Sequence, residues 1–166
     1  MAKSDSFFVR ASVDSDTTNF NQVSIDMGAY VDALGKSVVR IHNAVIKWDS
    51  PLGVPTINIG ATEVAGFQLT TQSQGALVSA DDKSVIASGT LTVNNNSGNP
   101  NNATFMADVY DVSPQRWTNG YLIGVEQLYL GFDQTANMIG GCDIVLECTV
   151  ETLSSSAAMA LALSQQ

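Results

Sequence analysis

Apolar and polar residues alternate with a period of two along most of the chain, the pattern of strands that bury one face. In Phe7 to Val13 the inward set is Phe7, Val9, Ala11 and Val13, with Arg10 and Ser12 outward. Val23, Ile25 and Met27 repeat it around Ser24 and Asp26. Ser37 to Trp48 reads as a long strand whose phase slips: Val39 and Ile41 share one face, Ala44, Ile46 and Trp48 the other, which predicts a β-bulge near Asn43. Further strands are predicted at Glu63–Gln72, Ser84–Asn94, Thr104–Val112, Val125–Asp133 and Cys142–Leu153, eight in all. Several connections are long enough to cross between two sheets. The expected fold is all-β, an eight-stranded antiparallel sandwich, jelly-roll-like, over residues 1–153.

The breaks in the pattern are equally legible. Ala29 to Gly35 reads as one helical turn, and Pro51, Gly53 and Pro55 punctuate a loop. The tract Asn94 to Asn102 is rich in asparagine, which tolerates positive φ and bonds to its own backbone, so it is expected to be an exposed loop tip. Sequons at Asn95 and Asn102 are read as chance in a chain without a leader. The tail, residues 154–166, opens on serines and continues with Ala157 to Leu163, strong helix formers behind a serine cap. A helix this short persists only when docked, on its own domain or on a neighbour.

Composition narrows the partners. Charged residues make up 14 % of the chain, against roughly 25 % in an average domain. The net charge of −9 repels nucleic-acid backbones and anionic headgroups alike. The polar start, Met1 to Ser6, carries no apolar leader, which predicts a protein made and kept in the cytoplasm. Ala157 to Leu163, the longest apolar run, falls far short of the roughly 20 residues of a membrane span. Cys142 and Cys148 lie six residues apart in one strand, roughly 20 Å at ~3.3 Å per residue. A disulfide spans at most about 6.8 Å between Cα atoms. They are expected to be buried free thiols.

Catalytic and ligand chemistry finds few footholds. His42 is the sole histidine, no G-x-S-x-G elbow accompanies it, and with two same-strand cysteines it makes no zinc set. Carboxylates gather at Asp14 and Asp16, Asp81 and Asp82, and Asp108 and Asp111, pairs that loops use for calcium, but without EF-hand spacing. They are read as solvated acids, and no cofactor is expected. Arg40 and His42 make a small positive spot. Trp117, in the loop segment Pro114 to Gly120, together with Tyr121, offers an aromatic surface that suits a sugar ring, a neighbouring subunit or the sandwich's own end.

In length, strand number, uncharged Asn/Thr/Ser-rich loops and apolar tail, the chain resembles viral single jelly-roll capsid proteins. The resemblance covers nearly the whole chain but rests on architecture alone, with no family-specific motif. It implies a structural virion protein without enzymatic activity, assembled with copies of itself and with other capsid proteins. The candidate contacts are Trp117, Tyr121, Asn95, Asn96, Asn99, Met159, Leu161 and Leu163. One departure is the missing basic arm: the first ten residues hold only Lys3 and Arg10, so such a subunit would not condense a genome itself. The alternative is a carbohydrate-binding sandwich using Trp117, Tyr121 and the asparagine loop; an enzyme of an unfamiliar class ranks third.

Overall fold

A computed structural model describes residues 4–32, 36–48, 55, 57–99 and 103–166. Among these the strands are β1 (Phe7–Asp14), β2 (Asn21–Asp26), β3 (Ser37–Trp48), β4 (Thr62–Thr70), β5 (Val85–Asn94), β6 (Phe105–Val112), β7 (Tyr121–Ile123), β8 (Gln127–Gln134) and β9 (Gly141–Thr152), followed by helix α1 (Ser155–Ser164). All eight predicted strands are present. The ninth, β7, is three residues long, too short for an alternation to show.

The strands form two antiparallel sheets, ordered β1-β9-β3-β7 and β2-β8-β4-β5-β6. With β6 set aside, the pairs 1-9, 2-8, 3-7 and 4-5 nest from the chain's outside inward and fall alternately in the two sheets. That is the double Greek key of a jelly roll, and β6 extends the second sheet by one edge strand. Its core follows from the inward phases: Met27, Ile41, Phe67, Leu69, Leu128, Leu130, Phe132, Ile144 and Leu146 are buried between the sheets. Trp48, Phe67 and Tyr110 meet edge to face in sequence, with ring centroids 5.7 and 6.2 Å apart.

The phase slip in β3 is a bulge against β9, where the register shifts between Ile41 and Asn43. Val39 and Ile41 before it and Ala44 after it thus face the same core. Met27 accepts from the amides of Tyr30 and Val31, at 2.9 and 3.0 Å, and Asp32 then bridges antiparallel to Ser37, so the described part of the predicted helical turn is a tight turn rather than a helix; residues 33–35 lie outside the described residues. So do Pro51 and Gly53 of the predicted loop and Asn102 of the second sequon.

Both cysteines are buried, and neither forms a disulfide. Burial, with the Glu147 charge adding to it, pushes the Cys148 thiol up to about 12. Since the thiolate is the reacting form, both thiols are expected to resist iodoacetamide at pH 8 in the native protein and to react on denaturation. Native labelling at the rate of a free thiol would contradict this placement.

Candidate functional site

The loop between β6 and β7 is built to present Trp117. Ser113 caps a 3-10 turn, accepting from the Gln115 amide at 3.3 Å, with Pro114 preset for its first position. Gln115 then reaches the Asn43 side chain, and Gly120 closes the loop onto β3 with φ +70°. A Cβ at Gly120 would lie 2.3 Å from the Ile41 carbonyl, so only glycine permits this approach. Between these anchors Trp117 stands 52 % exposed, edge-on to Tyr121 at 6.4 Å.

A groove runs along each side of Trp117. One, of about 550 Å³, is lined by Arg40, His42, Thr118, Asn119 and Gly120. The other, of about 390 Å³, is lined by Arg40, Lys83, Tyr121, Leu122, Leu161 and Gln165. Arg40 floors both. The bulge turns His42 outward alongside it, and His42 Nε2 lies 2.9 Å from Thr149 Oγ1. The Arg40 guanidinium donates from Nε and Nη2 to Glu151 at 2.7 and 2.9 Å, and from Nη1 to the Asn119 carbonyl at 2.5 Å. Glu151 is 1 % exposed, and its bonded carboxylate raises the Arg40 pKa against the opposing pull of burial. The expected positive spot is therefore a neutralised pair. Burial also raises the Tyr121 hydroxyl, partly offset by its bond to Gln165.

Helix α1 docks on its own domain. Ala158 and Ala162 face inward, and a Cβ on Gly124 would sit 3.0 Å from the Ala162 amide. Gln165 accepts from the Gly124 amide at 2.8 Å and donates to the Leu122 carbonyl at 2.7 Å. Its own carbonyl accepts from Thr71 Oγ1 at 2.9 Å. The larger side chains point the other way: Met159 and Leu163, one turn apart, are 50 % and 65 % exposed.

The structure thus brings Trp117, Tyr121 and Leu161 together, with Met159 and Leu163 on the outward side of the same helix. The asparagines lie at the other end of the sandwich, beside the Thr62 end of β4, whereas Gln165 contacts the Thr70 end. Asn95 departs from the expected exposed tip. It is fully buried, donating to the carbonyls of Ile57 and Asn99 at 3.0 and 2.9 Å and accepting from the Ser97 amide and hydroxyl. Its amide is consumed in organising the loop, which leaves Asn96 and Asn99 exposed. Among the described residues no three metal-ligating side chains stand close enough to share an ion. Asp82 instead accepts from the Ser84 amide and hydroxyl at 2.8 and 2.7 Å, bonds that lower its pKa.

Sequence reasoning missed Glu151 and Lys83 as parts of this site. Arg40 and Glu151 are 111 positions apart, so no spacing announces the pair.

No family model matches the chain, and no curated protein matches it. Among solved structures it is similar to dimeric latent PorU from Porphyromonas gingivalis, with 10 % identity and a TM-score of 0.42 over 89 % of this chain. This chain spans 13 % of that one. It is similar also to the desmodium yellow mottle tymovirus structure, with 12 % identity, a TM-score of 0.37, and 89 % and 85 % of the two chains covered. For turnip yellow mosaic virus the values are 12 %, 0.30, and 88 % and 92 %.

Proposed function

We propose that this chain is a structural, self-assembling subunit of a jelly-roll shell, a capsid-type protein of a virion that meets copies of itself through its flanks. The observation that carries the reading is where the exposed apolar side chains fall. Phe105, Met106 and Val109 lie on the edge strand β6, Val45 on β3, Met159 and Leu163 on α1, and Trp117 beside them. Most of these lie along the edges and at one end of the sandwich, and apolar side chains exposed there in a weakly charged chain mark surfaces that neighbours cover. Each copy carries −9, so the subunits repel one another at low salt and assembly is favoured by screening.

Size-exclusion chromatography and negative-stain imaging across protein and salt concentration test this. Rings, capsomers or shells that grow with both are expected; a monomer at every concentration defeats the reading.

One arrangement favours a second reading, glycan binding. Trp117 presents its indole beside Tyr121, with Thr118, Asn119 and His42 next to it, a stacking surface bordered by neutral hydrogen-bonding groups. On that reading a glycan array gives hits that Trp117→Ala weakens at least about tenfold, the scale of a 1.4 kcal/mol stacking contact. A blank array leaves Trp117 as an assembly contact.

A further inference from the structure

The four sheet edges are not alike. At one edge β2 points Gln22, Ser24 and Asp26 outward; β1 carries Arg10, whose guanidinium lies over the Phe8 ring at 5.6 Å; β7 is three residues long. Short, polar or charged edges are the usual protection against pairing with another chain. The fourth, β6, is eight residues long and contains no Lys, Arg, Pro or Gly; its charges are the two carboxylates Asp108 and Asp111. From Phe105 to Tyr110 it runs in register with Gly89–Asn94, ahead of the irregularity at Ser88. Among the described residues, its other side faces no strand of the sheet. Phe105 is 60 % exposed and Val109 52 %.

We propose that β6 pairs with β6 of a second copy, antiparallel about a two-fold axis at Ala107, joining two five-stranded sheets into one. This rests on the reading of the chain as a self-assembling subunit and names the face through which two copies meet. The side-chain order selects the register. Centred on Ala107, each Phe105 lies opposite the partner copy's Val109, an aromatic–β-branched pair made twice, and Asp108 lies opposite Met106. Centred on Asp108, the strand would set two carboxylates directly against each other and Phe105 against Asp111, both unfavourable. On the outer side the rows beside β6 are Thr90, Thr92 and Asn94, then Thr62, Val64 and Gly66, all uncharged. A single strand seam is smaller than the roughly 1,200 Å² of stable complexes, so a weak, concentration-dependent dimer is expected, strengthened when many such contacts act together.

Cross-linking of the full chain tests the register. Directly opposed antiparallel residues have Cα atoms about 4.5–5.5 Å apart, inside the reach of a disulfide. Ala107→Cys is therefore expected to give a covalent dimer under mild oxidation, against a background of buried native thiols. Asp108→Cys, displaced two residues from its own copy, is expected to remain uncross-linked. Cross-linking of Asp108→Cys alone, or of neither, overturns the proposal. Phe105→Lys with Val109→Lys is expected to weaken dimerisation about tenfold or more by sedimentation, with circular dichroism confirming the fold. Should that variant unfold, the cysteine pair still decides. Assemblies that form unchanged in the double lysine variant overturn the β6 seam while the self-assembling subunit stands; a wild-type chain that stays monomeric overturns both.

Discussion

Arg40→Ala is expected to destabilise the fold by about 3–5 kcal/mol, the cost of taking the guanidinium away from a buried carboxylate. Glu151 sits on the outward side of β9, yet it is buried, as is Val38 opposite it on β3, because this end of the sheet is covered. Removing the guanidinium takes away both of its bonds to Glu151. Arg40→Lys is expected to recover only part of the loss, since an ammonium cannot reproduce the two-pronged geometry. Replacing both residues, Arg40→Met with Glu151→Leu, is expected to return within about 1 kcal/mol of wild type, because well-packed apolar pairs often equal buried ion pairs.

The Arg40→Ala variant also acquires a pH dependence of known sign. A buried carboxyl that has lost its guanidinium favours its proton more in the folded state, so the deficit is smallest at low pH and grows as pH rises through the acidic range. Urea denaturation at several pH values measures both effects. A loss under about 1 kcal/mol for Arg40→Ala would show that the pair is solvated and structurally idle.

Gln165→Leu is expected to cost about 2–4 kcal/mol, close in size although no charge is involved. The substitution preserves volume but leaves the Gly124 amide and the Leu122 carbonyl without the side chain that pairs them. Each buried group so orphaned costs about 1–3 kcal/mol. For a chain of this length that lowers Tm by roughly 5–15 °C. Met159→Ser and Leu163→Ser, on the opposite side of the same helix, are expected to leave the monomer's stability within about 0.5 kcal/mol and to act on assembly instead. A Gln165→Leu protein as stable as wild type would mean that α1 is not held in cis.

Much of the scaffold was readable in advance because strand period and core burial are the same physical fact. Phe7, Val9, Ala11 and Val13 are assigned inward by alternation alone, and they pack there. Even the bulge shows, since an extra residue must invert the phase of everything after it. Polar residues were less legible. Gln134 and Asn95 look like surface positions, yet Gln134 is buried, its side chain donating to Thr17 and Ile139 carbonyls and accepting from the Met138 and Ile139 amides. An amide at a loop root can satisfy several backbone groups at once, and burial is then favourable despite its polarity.

At the candidate site the division is sharper. Trp117 and Tyr121 stand four positions apart, and their contact could be expected from that spacing. The groove around them needs Arg40 and His42 from β3, Glu151 from β9, Lys83 from the β4–β5 connection and Leu161 from α1, residues joined only by the path of the chain.

What the sequence by itself determined was the period: an all-β chain, weakly charged, with a bulged third long strand, two buried thiols and a helical tail. Local alternation and propensity suffice for that, because each depends on neighbours within a few residues. Only the tertiary structure decided which strands pair, that the sixth strand forms an outer edge exposing Phe105, Met106 and Val109, that the tail folds back through Gln165, and that Arg40 is bound by Glu151. Those outcomes depend on contacts between residues tens of positions apart, where hydrogen-bond geometry and burial, rather than spacing along the chain, choose the partner.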